Sequence, residues 1–173
     1  MEKGIHTIRS GFTEECNPAA PRRYTLDNGN FETNMQIMSV ELMYAENDDA
    51  GGNQDRLNAS TVFFTIATSA AGATPTASTE SPEEYGSQFS HRFNDSRQIC
   101  WGTMVASGGV TINVVLDDDN IIPGDIYVNA WSTSTGGSLN PVANAIGFII
   151  KMKQVTSSGN KALLYRVRET DLE

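Results

Sequence analysis

The sequence predicts an all-β protein, specifically a two-sheet antiparallel β-sandwich of the jelly-roll type with about eight strands. Short runs of apolar or β-branched residues recur along the chain and alternate with polar residues, as strands with one buried face do. Gly, Asn, Asp, Ser and Pro separate these runs, and no stretch has the period of an amphipathic helix. The uneven loop lengths favour a jelly roll over an up-and-down barrel. The nearest rival, an immunoglobulin-like sandwich, would carry a Cys…Trp…Cys pattern that is missing here.

Eight segments carry the strand pattern. In the second of them, Met38, Val40, Leu42 and Tyr44 are expected to share one face. Asn28-Gly29 predicts a tight hairpin turn after the first segment, and the glycines after Ser107 predict a hairpin between the fourth and fifth. The segments are Arg22–Leu26, Met35–Tyr44, Thr61–Thr68, Arg97–Val105, Val110–Leu116, Asp125–Trp131, Ala145–Lys153 and Ala162–Arg168.

The domain organisation follows from length and composition. A chain of 173 residues suits one domain, which we place at residues 21–173. Residues 1–20 are polar and contain Cys16-Asn17-Pro18, so they predict an irregular amino-terminal arm. Residues 69–93 are rich in Ala, Ser, Thr, Pro and Glu, and a stretch of this length predicts a long surface loop.

The charge balance limits the classes of partner. The chain has 12 basic and 21 acidic residues and a formal net charge of −9. Because nucleic acids are bound mainly through cations that neutralise phosphates, we expect no specific nucleic-acid binding. No run reaches the roughly 18 apolar residues of a membrane-spanning helix, and the first residues lack the apolar block of a signal peptide. We therefore expect no transmembrane segment and synthesis in a cytoplasm.

The sequence offers little catalytic chemistry. His6 and His91 lie far apart and lack a paired ligand, whereas a cupin-type enzyme needs clustered His and Glu residues. Asp117 to Asp119, together with Asp125, could supply oxygen ligands to calcium, but the spacing of an EF-hand is absent. We expect a protein that is not an enzyme and has no cofactor, and a free, buried thiol at Cys100.

Four segments of the second half of the chain carry a resemblance. They are Asn94–Trp101 (NDSRQICW), Leu116–Val128 (LDDDNIIPGDIYV), Ala145–Lys153 (AIGFIIKMK) and Ala162–Glu169 (ALLYRVRE). In this order they resemble a family of small proteins encoded by uncultured marine bacterial viruses. The resemblance covers about the last 80 residues and implies a jelly-roll capsid subunit, located in the virion, whose partners are copies of itself and other virion proteins. It implies no catalytic residue.

A candidate assembly interface combines the last two predicted strands. If these strands pair as an antiparallel hairpin, Lys151, Lys153, Arg166 and Arg168 share one outward face. This basic face would meet the acidic loops of an adjacent copy in a head-to-tail contact. The alternative is a solvated face that prevents aggregation at a sheet edge.

Three aromatic residues extend the candidate interface. Phe63, Tyr127 and Trp131 either mark an outward subunit contact or belong to a second core layer under a loop. A second function follows if they are exposed, since Tyr127 and Trp131 would then stack on the sugar rings of a surface glycan. The alternative to a shell subunit is thus a virion decoration or spike protein, or a lectin-like carbohydrate-binding module.

Overall fold

The fold is a β-sandwich of two antiparallel sheets, as the sequence predicts. The structure, a computed structural model, describes residues 5–13, 16–26, 33–44, 61–75, 95–106, 110–133, 139–140 and 146–156. Its strands are β1 (Ile5–Phe12), β2 (Arg22–Thr25), β3 (Thr33–Tyr44), β4 (Thr61–Ala67), β5 (Gln98–Ala106), β6 (Val110–Leu116), β7 (Asp125–Thr133), β8 (Leu139–Asn140) and β9 (Ile146–Thr156), with one helical turn, α1 (Ala70–Ala73).

The strand order is wrapped, so that strands far apart in the sequence lie side by side. Sheet A has the order β1-β9-β3, and sheet B has the order β2-β7-β4-β5-β6, with the short β8 also pairing with β7. The first described strand therefore pairs with the last, and β2 pairs with β7, all in antiparallel fashion. From β1 to β4 successive strands alternate between the two layers, and after β8 the chain returns to sheet A as β9, so that it encloses one core.

The core lies between the two sheets and is built by strict alternation. On β9, Ile146, Phe148, Ile150 and Met152 are buried and the residues between them are half-buried. The ring of Phe148 in sheet A lies 5.5 Å from the ring of Phe64 in sheet B, measured between centroids, and both side chains are 0 % exposed. Contact across the layers explains why these runs alternate so regularly.

The centre of sheet B is buried on its outer face as well. Thr65 and Asn129, which are opposite each other on β4 and β7, point away from the core yet are 0 % and 1 % exposed. The Asn129 Nδ2 atom donates hydrogen bonds to the carbonyl oxygens of Pro18 at 2.7 Å and Ala73 at 2.9 Å. The segment after β1 and the α1 turn therefore cover this face.

The prediction of an irregular arm over residues 1–20 is wrong for β1. This strand pairs with β9 from Ile5, opposite Lys153, to Phe12, opposite Ile146. Its inward positions are His6, Ile8, Ser10 and Phe12, so only two of the four are apolar and the alternation is weak. Pairing with β9 supplies the order that the sequence pattern lacks.

Two further predictions need correction. Asn28-Gly29 predicted a hairpin, but β2 and β3 belong to different sheets, and the turn residues lie outside the described part. In β3 the register shifts between Ile37 and Ser39, so Met38 is a bulge residue that is 52 % exposed instead of facing the core.

The predicted β5–β6 hairpin is confirmed by its register. Most of the predicted 69–93 loop and the predicted strand at 162–168 lie outside the described residues.

Candidate assembly interface

The outer face of sheet A carries the two lysines of the candidate interface. Lys151 and Lys153 alternate along β9 with Met152, which is 1 % exposed, so both lysines point away from the core. The Lys151 Nζ atom donates to Glu41 Oε1 on the neighbouring β3 at 2.5 Å, in a pair whose side chains are 44 % and 50 % exposed. Lys151 therefore already has a carboxylate partner within its own subunit.

The predicted pairing of residues 145–153 with residues 162–168, which would bring the four basic residues together, is wrong. β9 pairs with β1 along one edge and with β3 along the other, and both ladders include Ile146 and Lys153. A strand has only two edges, so no edge of β9 remains over these residues for a further strand. Arg166 and Arg168 lie outside the described residues.

Arg9 on β1 is a basic residue of this face that the sequence analysis missed. Arg9 is exposed and is opposite Ile149 of β9. Ile149 lies between the buried Phe148 and Ile150, so Arg9 points to the same outer face as the lysines. No ion pair between described residues involves Arg9 or Lys153. The sequence predicted an irregular segment at residues 1–20, and only strand pairing brings Arg9 next to β9.

The aromatic members of the candidate interface divide into buried and half-buried residues. Phe63 and Trp131 are opposite each other on β4 and β7, and their rings stack with centroids 5.7 Å apart and planes 20° apart. Their side chains are 8 % and 1 % exposed, so they form a second buried layer and no free contact surface. Tyr127 is half-buried. Trp131 is thus not available to stack on a sugar ring.

The acidic loop after β6 is exposed. The side-chain Oδ1 of Asp117 accepts a hydrogen bond from the backbone N–H of Asp119 at 3.1 Å, and Gln36 Nε2 donates to the carbonyl of Asp118 at 3.1 Å. Asp125 lies at the start of β7, and its carboxylate accepts a hydrogen bond from Arg23 Nε at 2.6 Å. Within the described ranges, no three His, Cys, Asp or Glu side chains are grouped to hold a metal ion.

The two thiols are free and differ in environment. The Sγ atom of Cys16 accepts from Arg22 Nη2 at 3.0 Å and from the Thr13 backbone N–H at 3.4 Å. Burial acts to raise the pKa of Cys16, but the Thr13 hydrogen bonds and the Arg22 charge and hydrogen bond outweigh it and lower the pKa. Cys100 is free and buried, as expected, and burial raises its pKa to about 12.

Comparison with known proteins gives no family for this chain. Searches against models of protein families and against curated proteins found no match. In the described part of the chain, no helix combines the length and hydropathy needed to cross a membrane.

Proposed function

We propose that this protein is a structural subunit of a virus particle, in which copies of the chain contact each other through their sheet surfaces. The resemblance of four segments to proteins of marine bacterial viruses supports this role. Three of these segments lie largely in the described part and lead into or form β5, β7 and β9. They belong to a β-sandwich, and the jelly-roll form of that fold is common in viral shells.

The observation that carries the proposal is that one subunit exposes both a basic face and an acidic loop. Arg9 and Lys153 lie on the outer face of sheet A, and Asp117 to Asp119 form an exposed loop after β6. This loop lies at the β3 edge of sheet A, where Gln36, the residue opposite Lys153, donates to the Asp118 carbonyl. A chain with a net charge of −9 repels its own copies over most of its surface. Association is therefore most favourable where the acidic loop of one copy meets the basic face of the next.

A contact between two different surfaces is head-to-tail. Repetition of such a contact produces closed rings when the rotation between neighbouring copies is an exact fraction of a turn. The exposed Ile5, which is 73 % exposed and opposite Lys153, adds an apolar component to the basic face. This combination of apolar and charged groups is typical of protein–protein interfaces.

Quantitative mass spectrometry of purified particles tests the viral role. A shell subunit is expected in tens to hundreds of copies per particle, after synthesis in the host cytoplasm. A few copies per particle would instead assign the chain to a spike or a decoration at special positions. Its absence from particles would overturn the proposal. The carbohydrate-binding alternative is not retained, because it required two exposed rings, whereas Trp131 is buried and Tyr127 is half-buried.

Charge reversal tests the head-to-tail contact. Lys153→Glu should abolish assembly at about 0.1 M salt while the monomer keeps its fold, since a repulsive pair replaces an attractive one. The double variant Ala20→Glu/Thr25→Glu is the matched control, because it changes the net charge equally at two exposed residues outside sheet A. Equal loss of assembly in both variants would show that net charge, and not this face, is responsible.

A further inference from the structure

β6 is the last described strand of sheet B, and its apolar side chains are unusually exposed. Among the described strands it pairs with β5 alone, from Val110 opposite Ala106 to Leu116 opposite Cys100. Ile112 is 41 % exposed and Val115 is 50 % exposed. The strand VTINVVL contains no charged residue, no proline and no register shift. A sheet edge with these properties pairs readily with another strand.

The edge of β3, by contrast, is blocked in its first half, and its second half carries the charged Glu41. Met38 forms a bulge, and before it the β6–β7 connection covers the strand. Met35 and Ile122 exchange backbone hydrogen bonds of 2.9 and 2.8 Å, and the side chain of Asn120 binds both the N–H and the carbonyl of Ile37. Backbone groups that are already bonded, next to a bulge, leave little room for an added strand.

The remaining two edges carry charges. β1 has Arg9 near its middle, and β2 has only four residues, of which Arg22 and Arg23 are two. Charged residues and short length are the features by which natural proteins prevent pairing at sheet edges. The two-residue β8, which pairs with β7 beside β2, is shorter still. Of the outer strands in the described part, β6 is therefore the one suited to accept another strand.

We infer that β6 of one copy pairs antiparallel with β6 of a second copy, about a two-fold axis at Asn113. This inference rests on the proposal that copies of the chain assemble. The centred register pairs all of Val110–Leu116 with its counterpart, so the two sheets B become one continuous sheet. A two-fold contact uses the same patch on both copies, which requires that the patch be complementary to itself.

The β6 sequence meets this requirement. In the centred register Ile112 is opposite Val114 of the second copy, and Thr111 is opposite Val115. Both are pairs of β-branched residues, which favour strands and stabilise them as cross-strand neighbours. Asn113 is opposite its own counterpart, where two amides can hydrogen-bond. No pair in this register joins like charges.

The charges beyond the strand select the antiparallel direction. Asp117 to Asp119 follow β6 directly, while Ser107 and two glycines precede it. In the antiparallel arrangement each acidic loop lies beside the uncharged start of the other β6. A parallel arrangement would place six carboxylates, three from each copy, side by side at one end and would be disfavoured by their repulsion.

The two contacts of the proposed assembly have different symmetries. The contact between the acidic loop and the basic face is head-to-tail, whereas β6–β6 pairing is two-fold. A head-to-tail contact forms rings, and a two-fold contact joins one ring to another. The two also respond oppositely to salt, because screening weakens the attraction in the first and the overall repulsion between acidic copies in the second.

Cysteine cross-linking of the full chain tests the register. Asn113→Cys, in a Cys16→Ser background, should give a disulfide-linked dimer under mild oxidation, because directly opposite Cβ atoms lie about 5 Å apart. Thr111→Cys in the same background is the control, since its two copies are separated by about 13 Å along the strands and should stay unlinked. Mixing Thr111→Cys with Val115→Cys protein should restore the cross-link.

Sedimentation velocity tests the contact without cross-linking. Asn113→Lys should raise the dimer dissociation constant at least tenfold, because it places two ammonium groups opposite each other, while Thr25→Lys on exposed β2 should leave it unchanged. A wild-type chain that stays monomeric at high concentration and high salt, or a dimer without the Asn113→Cys cross-link, would overturn the inference. The particle copy number does not depend on β6, so either result leaves the proposed viral role to be judged separately.

Discussion

The Asn120 side chain pairs with the backbone of Ile37 as another strand would. Its Oδ1 atom accepts from the Ile37 N–H at 2.7 Å, and its Nδ2 atom donates to the Ile37 carbonyl at 3.2 Å and to the Asp117 carbonyl at 2.6 Å. Asn120 is 2 % exposed. One amide therefore joins the β6–β7 connection of sheet B to the β3 edge of sheet A and closes one side of the sandwich.

Replacing Asn120 by alanine should destabilise the protein by about 1–3 kcal/mol, since buried backbone groups of Ile37 would lose their partners. Urea denaturation followed by tryptophan fluorescence measures this change. Asp119→Ala, at the exposed neighbouring residue, should change the free energy of unfolding by less than about 0.5 kcal/mol. Equal stability of the two variants would contradict the bridging role of Asn120.

A close approach between the sheets makes a second prediction at Gly102 on β5. A Cβ atom there would lie 2.8 Å from Leu42 Cδ1 and 3.0 Å from Phe64 Cβ, so Gly102→Ala should cost about 1–3 kcal/mol through overpacking. At Gly147 on β9 the nearest atom to a Cβ is the flexible end of Met43 at 3.4 Å. Gly147→Ala should therefore be nearly neutral. Thermal unfolding of both variants measures the difference, and a tolerant Gly102 would mean that the sheets pack less closely there.

Alternation alone predicted much of this fold. β4, β6 and β9 begin and end close to the predicted bounds, because each has a clear period of two with one apolar face. β1 was missed, since His6 and Ser10 occupy inward positions. The Met38 bulge was missed too, because a register shift depends on the partner strand and leaves no mark in the pattern.

The candidate site was harder to predict than the fold. The outward direction of Lys151 and Lys153 follows from local alternation, but their neighbours depend on which strands flank β9. Proximity in sequence suggested the following segment, whereas the wrapped order places β1 and β3 there. For the same reason Arg9 lies beside β9, and no edge of β9 is left for the predicted pairing with residues 162–168. Burial of Trp131 on the outer face of sheet B also depends on packing that alternation cannot show.

The stacked pair of Phe63 and Trp131 provides a third prediction. Trp131→Ala should cost about 3–5 kcal/mol, because it removes a large side chain that is 1 % exposed and leaves a cavity beside the Phe63 ring. Chemical denaturation measures the loss, with Met43→Ala at a half-exposed β3 position as the control. A Trp131→Ala variant as stable as the wild type would mean that the ring serves the surface and not the packing.

The last prediction concerns the reaction of the two thiols with a disulfide reagent. In the native protein Cys16 should react and Cys100 should not, because Cys100 is 0 % exposed and burial raises its pKa to about 12. The thiolate is the reactive form, so the rate at Cys16 should rise with pH around a midpoint below that of an ordinary thiol, as the pKa of Cys16 is lowered. Arg22→Gln removes a positive charge at 3.0 Å from the sulfur and should move this midpoint to higher pH. Arg23→Gln, at the exposed neighbouring residue, should leave the midpoint unchanged. Stopped-flow rates between about pH 6 and pH 10 measure the midpoints, and identical profiles for the two variants would show that Arg22 does not stabilise the Cys16 thiolate.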